Sequence, residues 1–139
     1  MKKSSLKTIA KKMKDLDMCM LITQDGKNRY HSRPMSNNGE VEYDGTSWFF
    51  TYKTSRKVKQ VQANKKVCLI FQTKDALFIE CSGNAEIVTD KSIMAEKWVD
   101  SINEWFPKGI NTPGVCLLKV VAKRVHYWDK GDEAEYSAK

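Results

Sequence analysis

The spacing of apolar residues alternates between helical and strand-like stretches along the chain. Behind Ser5, five apolar residues recur at helical spacing and predict a first helix capped by that serine: Leu6, Ile9, Ala10, Met13 and Leu16. Two extended runs follow, MCMLIT and RYHSRPM, and the Asp25-Gly26 step between them predicts a hairpin. A second turn is predicted at Ser36-Asn37-Asn38-Gly39.

The middle of the chain is richest in strand signals. TSWFFTY has the aromatic and β-branched content of a strand, and Thr54-Ser55 can cap a short helix that carries Val58 and Val61. VCLIF and ALFIECSGNAEIV predict two more strands, the second with a bulge or kink at Gly83. The run VCLLKVVAKRVHYW predicts a last long strand.

A third helix is predicted to open at Asp90 and to run to Pro107, on the period of Ile93, Met94, Trp98, Ile102 and Trp105. About six strands and three helices result, without the regular alternation of a parallel sheet. We therefore expect a mainly β fold, a small antiparallel barrel with appended helices. One domain should span residues 1–130, and the acidic tail 131–139 should be disordered.

Composition narrows the class of partner. A chain of 139 residues can build one core, and its net charge of +7 suits nucleic acid, a membrane surface or a phosphorylated small molecule. No apolar run is long enough to span a membrane or to act as a secretion signal, so we expect a cytoplasmic protein. The four cysteines, widely spaced and without a CxxC pair, predict buried free thiols and no metal site: Cys19, Cys68, Cys81 and Cys116.

The turn after TSWFFTY has residue types that can bind a phosphate. It places the hydroxyls of Thr51 and Ser55 and the cations Arg56 and Lys57 around one strand-to-helix junction. Unpaired N–H groups and the helix dipole favour an anion there, and Arg adds a bidentate fork. An exposed basic helix start would have the same residues, so both interpretations stay open. The chain has no GxGxxG and no GxxxxGK[ST], which excludes a Rossmann unit and a P-loop.

The order of these motifs resembles that of the pyridoxamine-phosphate-oxidase-like split-barrel flavoproteins. As in that family, a Lys follows the Thr by six residues, here Thr51 and Lys57, and a short helix, Asn64 and the apolar strand VCLIF come next. Arg33-Pro34-Met35 occupies the place of the family's upstream Arg strand. The segments SRPM, WFFT, SRK, ECSGNAEIVTD, WFPKG and YWD are similar to the general stress protein branch. The resemblance implies a six-stranded antiparallel split β-barrel.

The resemblance also implies a cofactor and an assembly. It implies FMN, with FAD as an alternative, bound in a homodimer. Residues at the flavin ring and ribityl chain would be Arg33, Met35 and Ser36. Phe50 and Thr51 would flank the ribityl chain and the phosphate, and Ser55, Arg56 and Lys57 would hold the phosphate. Trp128, at the end of the last strand, could stack on the flavin of the partner subunit.

Two departures argue against vitamin oxidase activity. Ser36-Asn37-Asn38 stands where pyridoxamine-phosphate oxidases have a Lys, and their C-terminal Arg and His segment is missing. The first hypothesis is an FMN-dependent oxidoreductase acting on a small molecule, with a reduced nicotinamide as electron donor. The second is a non-catalytic stress module that binds or buffers flavin. A basic barrel that binds nucleic acid through Trp48 and Phe49 is the least favoured.

No catalytic side chain is predicted. His31 and His126 have no Ser, Cys or carboxylate partner at a recognisable catalytic spacing, so both are expected to be structural or solvated. A flavoprotein needs no such constellation, because the flavin carries the redox chemistry.

Overall fold

The structure, a computed structural model, describes residues 1–37 and 42–139. The helices of that part of the chain are α1 (Leu6–Met13), α2 (Arg56–Ala63) and α3 (Lys91–Lys97), with short 3-10 helices over Asp100–Glu104 and Gly109–Asn111. The strands are β1 (Met18–Gln24), β2 (Tyr30–Ser36), β3 (Thr46–Tyr52), β4 (Lys66–Gln72), β5 (Leu77–Val88), β6 (Val115–Asp129) and β7 (Asp132–Ser137).

These strands form one antiparallel sheet in the order β2-β1-β4-β5-β6-β3, and β7 adds to β6 beside this path. The expected class, a mainly β split barrel with appended helices, is confirmed. The sheet has seven strands rather than six among the described residues. It also stays open, because in that part of the chain no pairing joins β2 to β3.

The seventh strand corrects the expectation of a disordered tail. Lys130 and Gly131 take positive φ values of 52° and 92° and turn the chain back, so that 132–137 pair with β6. Ala134 is fully buried. The acidic side chains that suggested disorder are paired with basic partners: Lys2–Asp132 at 2.7 Å, His126–Glu133 at 2.7 Å and Arg124–Glu135 at 3.3 Å.

The predicted third helix is shorter than its apolar period suggests. Asp90 caps α3 as expected, because its side chain accepts from the backbone N–H groups of Ser92 and Ile93. The helix then ends at Lys97, and Trp98 is extended with ψ of 135°. Trp98 packs edge-on against Phe50 and Phe106, with ring centroids 4.7 and 5.9 Å apart. The packing of Trp98 on these two rings thus favours the end of α3 at Lys97. The spacing of apolar residues along the chain does not contain this information.

One core fills the inward face of the sheet. Alternate residues of the strands point into it and are almost completely buried, among them Leu21, Leu69, Ile79 and Val125. Helix α1 begins after Ser5, whose side chain accepts from the backbone N–H of Thr8, as predicted. All four cysteines are free thiols, three of them buried and Cys68 half-buried. In the described residues, no helix combines the length and apolarity that a membrane crossing requires.

The structure contains the predicted hairpin turn after β1 and the predicted bulge in β5. The Asp25 turn joins β1 to β2, with Asp25 accepting backbone bonds from Lys27 and Arg29. The β5–β6 register shifts between Ser82 and Gly83, which confirms the bulge. The second predicted turn, 36–39, falls partly on Asn38 and Gly39, which lie outside the described residues.

Candidate functional site

The site begins where β3 ends. Alternation along this strand points Phe49 and Thr51 inward, and both are buried. The chain then turns through Lys53 and Thr54, where Ser55 N–H donates to the carbonyl of Tyr52 at 3.0 Å, and α2 begins at Arg56. The buried end of a strand therefore meets the start of a helix, whose first N–H groups have no partner within the helix.

Lys57 spans this junction. Its ammonium donates to Thr51 Oγ1 at 3.0 Å, and its side chain is half-buried. Burial lowers the pKa of Lys57, and the positive charge of Arg33 lowers it further. Both causes disfavour the charged lysine. A nearby anion would offset the repulsion from Arg33 and raise the pKa of Lys57 again.

Ser55 occupies the N-cap position without acting as a cap. Its side chain makes no capping hydrogen bond, and its Oγ is buried without a partner in the described part of the chain. A buried hydroxyl left unpaired is costly, and Ser55 directly precedes the first turn of α2, whose N–H groups have no partner within the helix. This orphaned hydroxyl fits a ligand oxygen.

Arg33 reaches the site from β2 and is held by neutral groups. One guanidinium nitrogen donates to Thr23 Oγ1 at 2.8 Å and to the Leu21 carbonyl at 3.1 Å. The other donates to Gln60 Oε1 at 2.7 Å, and Gln60 Oε1 also accepts from Thr23 Oγ1 at 2.6 Å. Burial lowers the pKa of Arg33. The guanidinium is thus oriented without any compensation of its charge.

We call this group the cationic corner: Arg33, Thr51, Ser55, Lys57 and Gln60. Within residues 1–37 and 42–139, no carboxylate lies within 4.0 Å of the Arg33 or Lys57 cation. Other half-buried cations do have such partners, as Lys12 has Asp129 at 2.7 Å. Arg33 and Lys57 are thus two partly desolvated positive charges without a counterion among the described residues, and a bound anion would stabilise both.

Of the residues predicted for the site, four meet in the cationic corner: Arg33, Thr51, Ser55 and Lys57. Met35 shares the inward face of β2 with Arg33 but is buried in the core. Arg56 is exposed at the first position of α2. Ser36 points outward, where its hydroxyl donates to Asp17 Oδ1 at 2.5 Å.

Phe50 and Trp128 are not part of the corner. Phe50 lies on the opposite face of β3 from Thr51 and packs on Trp98 and Phe106, so only its backbone faces the junction. Trp128 stacks on His126, with centroids 4.0 Å apart, at the far end of β6. Since Cys116 is the β6 residue opposite Thr51, Trp128 lies roughly 40 Å along the strand at about 3.3 Å per residue. Within one subunit it cannot reach the corner.

Sequence reasoning missed Thr23 and Gln60, the neutral partners of Arg33. A signal for each exists. Gln60 follows Lys57 by three residues and so shares its face of α2, and Thr23 interrupts the apolar inward positions of β1 although it is fully buried. A buried hydroxyl on a strand that faces a short basic helix is a candidate for holding a cation.

The two histidines are each paired with a carboxylate. His31 bonds Asp25 at 2.9 Å, and this bond, followed by the Arg29 N–H, lowers the pKa of Asp25. His126 bonds Glu133 at 2.7 Å. Both histidines thus have carboxylate partners that their sequence spacing does not suggest, yet both lie outside the cationic corner. Among the described residues, no group of three or more His, Cys, Asp or Glu could hold a metal ion.

The aromatic platform expected for nucleic acid is not available. Phe49 is 1% exposed and belongs to the core. Trp48 is covered by two lysine ammonium groups, those of Lys97 at 4.7 Å and Lys119 at 5.4 Å from its ring. Phe49 therefore offers no ring to a base, and the ring of Trp48 already has two cations as neighbours.

Solved structures with this fold are numerous. General stress protein 26 from Bacillus anthracis str. Sterne is 22% identical, with a TM-score of 0.75 over 96% of this chain and 95% of that chain. The general stress FMN/FAD binding protein from Xanthomonas citri is 26% identical, with a TM-score of 0.76 over 91% and 89%. A pyridoxamine 5'-phosphate oxidase-related, FMN binding protein from Nostoc punctiforme is 14% identical, with a TM-score of 0.67 over 88% and 87%.

No curated protein matches the chain. The family described as "Pyridoxamine 5'-phosphate oxidase like" matches it over residues 4–138, which includes every strand and helix described above. Sequence motifs, sheet topology and the family match therefore agree, and the protein belongs to the pyridoxamine 5'-phosphate oxidase-like family.

Proposed function

We propose that the cationic corner binds the phosphate of flavin mononucleotide and that the protein is a flavin-binding protein of the general stress type. The observation that carries this proposal is the half-buried pair Arg33 and Lys57, without a carboxylate among the described residues, beside the orphaned Ser55 hydroxyl. The Xanthomonas citri protein, described as binding FMN or FAD, is 26% identical to this chain and supports it. FAD is the alternative ligand.

The residues present fit a phosphate monoester. Lys57 supplies a charge, Ser55 supplies a hydroxyl donor, and the first N–H groups of α2 come directly after Ser55 in the chain. Arg33, clamped by Thr23 and Gln60, would contact the ring or ribityl chain from the β2 side together with backbone atoms near Met35 and Ser36. A bound flavin supplies the redox chemistry, and the chain binds and orients it.

The preferred activity is a flavin-dependent oxidoreductase that acts on a small molecule and takes electrons from a reduced nicotinamide. The second candidate is a module that stores or buffers flavin without turnover. Mixing the flavin-loaded protein with NADH or NADPH under anaerobic conditions separates them, because only the first candidate loses its visible flavin band quickly. A cytoplasmic location is part of the proposal, since the four cysteines are free thiols that suit a reducing compartment.

The binding site is tested by comparing three lysines. We expect Lys57→Ala to weaken FMN binding by roughly ten- to a hundredfold, the effect of losing one charge-assisted hydrogen bond of about 1.5–3 kcal/mol. Lys53→Ala and Lys59→Ala are matched controls, since both side chains are exposed. Fluorescence titration with FMN measures all three.

Riboflavin, which has no phosphate, is the internal control of this titration. Its binding should be indifferent to Lys57→Ala. Equal losses of FMN in all three variants would show a diffuse effect of surface charge, and a colourless protein that neither FMN nor FAD stabilises against heat would overturn the proposal.

The proposed assembly is a homodimer that uses the outward face of the sheet. Exposed apolar side chains near one end of that face include Met18, Met20, Phe78 and Trp128, which are 38 to 56% exposed. Phe78 and Trp128 are direct cross-strand neighbours, and Met20 lies opposite Ile70. Such a face can bury the roughly 800 Å² per partner of a specific interface, and it would offer Trp128 to the partner's flavin.

Light scattering at micromolar concentration tests this assembly. Phe78→Lys should give monomers, because it places a charge among the exposed apolar residues. Trp105→Lys is the control, since Trp105 is 63% exposed but follows the 3-10 helix beside Phe106, which packs on Tyr52 of β3 and not on the strands that carry Met20 and Phe78. A wild-type protein that stays monomeric with a full complement of flavin would refute the dimer.

A further inference from the structure

A groove on the outward face of the sheet is not explained by the cationic corner. Its volume is about 340 Å³, and residues of strands β1, β2, β4, β5 and β6 line it, with Ile22, Cys68 and Ser82 along its floor. The volume lies at the lower end of the range for small-molecule sites. Ile22 is the next outward residue of β1 after Met20, so the groove lies beside the proposed dimer face.

The β-bulge gives the groove one of its cations. Ser82 pairs with Arg124 and Gly83 pairs with Ala122, so Lys123 has no partner across the strand. Ala122 points inward and is buried, whereas Lys123 and Arg124 are both exposed on the outward face. A regular strand would have turned one of these two side chains into the core. The irregularity therefore directs Lys123 to the groove.

A second cation faces Lys123 across the groove. Lys66 lies opposite Asn84, and β4 is two strand spacings from β6, about 10 Å. Neither lysine has a carboxylate within 4.0 Å in the part of the chain that the structure describes. Arg124, next to Lys123, is by contrast bound to Glu80 at 2.8 Å and Glu135 at 3.3 Å. The groove thus keeps two uncompensated charges on flexible stems.

Neutral groups complete the rim. Asn64 donates to Gln24 Oε1 at 2.6 Å, which fixes the Gln24 amide and leaves its NH₂ group as a donor. Tyr30 pairs with Gln24 across the hairpin and is 74% exposed, so its ring forms an open aromatic wall. Ile22 adds an apolar floor beside this wall.

We propose that this groove binds a small aromatic phosphate monoester. The aromatic ring packs between Ile22 and Tyr30, and the phosphate lies between Lys66 and Lys123, within reach of the Gln24 amide. Two separated ammonium groups suit a dianion better than a single negative charge. The site is separate from the cationic corner, which faces inward, and the inference does not rest on the proposed function.

The test is an amide NMR titration of the purified full chain with phenyl phosphate. We expect the largest shifts at Gln24, Ser82 and Asn84, and no change in the visible spectrum of any bound flavin. Lys66→Gln and Lys123→Gln should each weaken binding at least tenfold. Lys65→Gln is the matched control, because Lys65 is exposed next to Lys66 but does not line the groove.

Two control ligands, each with only the ring or only the phosphate, test whether both parts of phenyl phosphate contribute to binding. Phenol should not bind at the same concentration, and inorganic phosphate should bind more weakly than phenyl phosphate. Unchanged affinity in both variants, or shifts centred on Thr51 and Lys57, would overturn the assignment. So would displacement by single-stranded oligonucleotides with an affinity that grows with their length, since that would identify the two lysines as part of a nucleic-acid surface.

Discussion

The cationic corner and the outward groove each hold two cations, but they hold them differently. Arg33 and Lys57 are half-buried and oriented by Thr23, Thr51 and Gln60 through hydrogen bonds of 2.7 to 3.0 Å. Lys66 and Lys123 are exposed, and no side chain among the described residues holds their ammonium groups. The first site is organised before its ligand arrives, and the second must order two flexible side chains to bind.

This difference affects the free energy of ligand binding at each site. In the corner, the cations are ordered and partly desolvated when the protein folds, so a ligand gains more binding free energy from each contact. In the groove, solvated lysines lose rotamer freedom on binding, which favours weak and exchangeable ligands. We therefore expect tight flavin binding at the corner and weaker binding at the groove.

The largest expected effect comes from Gly83→Ala, which attacks the bulge beneath the groove. A methyl group there would lie 2.0 Å from the Val121 carbonyl oxygen, so β5 and β6 must separate. We expect the free energy of unfolding to fall by about 3 kcal/mol in urea titrations. The folded fraction should lose phenyl phosphate binding and keep flavin.

Gly26→Ala is the control for this substitution, because its nearest atom, Ala63 Cβ, is 4.0 Å away. Equal stability of the two variants would show that the bulge tolerates a side chain and that Gly83 does not shape the groove.

Gln60→Ala tests whether FMN binding at the cationic corner depends on the hydrogen bonds that orient Arg33 before the ligand binds. The substitution removes the acceptor shared by Arg33 and Thr23, so we expect a loss of about 2 kcal/mol in stability and weaker FMN binding. Gln62→Ala, on the exposed side of the same helix, should change neither. If the folded Gln60→Ala protein keeps the flavin affinity of the wild type, the hydrogen bond from Arg33 to Gln60 is not needed for binding.

Ser55→Ala should move stability and binding in opposite directions. Its buried hydroxyl has no partner in the described part of the chain, so its removal should leave the unfolding free energy unchanged or slightly higher. FMN affinity should fall by about tenfold, because a donor to the phosphate is lost.

Ser47→Ala is the matched control for Ser55→Ala. The Ser47 hydroxyl is also buried without a partner in that part of the chain, but it lies at the start of β3. The same stability change without any loss of FMN would assign the binding effect to position 55. A loss of FMN in both variants would contradict the site.

The smallest expected effect per group is a decline of stability in alkaline solution that the buried thiols cause. Burial raises the pKa of Cys19 to about 12 and that of Cys81 to about 11. Above a pH of about 8.5 the unfolded thiols release protons that the folded thiols keep, so stability falls as pH rises. We expect a loss of roughly 1 kcal/mol per thiol between about pH 8.5 and 9.5.

Urea titrations across this pH range measure the decline, and Cys81→Ala should reduce its slope. An unchanged slope would show that Cys81 does not contribute. The two cation sites can thus be compared at pH 8 or below without this background.

Local signals predicted the fold well wherever one or two residues decide the conformation. Ser5 and Asp90 cap helices as expected, Asp25-Gly26 turns the first hairpin, and the register shifts at Gly83. The tail was mispredicted because composition counts the charges of Asp132 and Glu135 but cannot see Lys2 and Arg124 beside them. The third helix was predicted too long because apolar period does not show where Trp98 packs.

By itself, the sequence determined the antiparallel class, the single core and the turn that carries Thr51, Ser55 and Lys57, because each depends on near neighbours in the chain. Only the tertiary structure decided that Arg33 and Gln60 join that turn, that Phe50 faces away from it and that Trp128 lies at the far end of β6. Those relations depend on strand order and register. The physical reason is that local patterns set which face a side chain occupies, whereas burial and charge depend on what the other strands bring to that face.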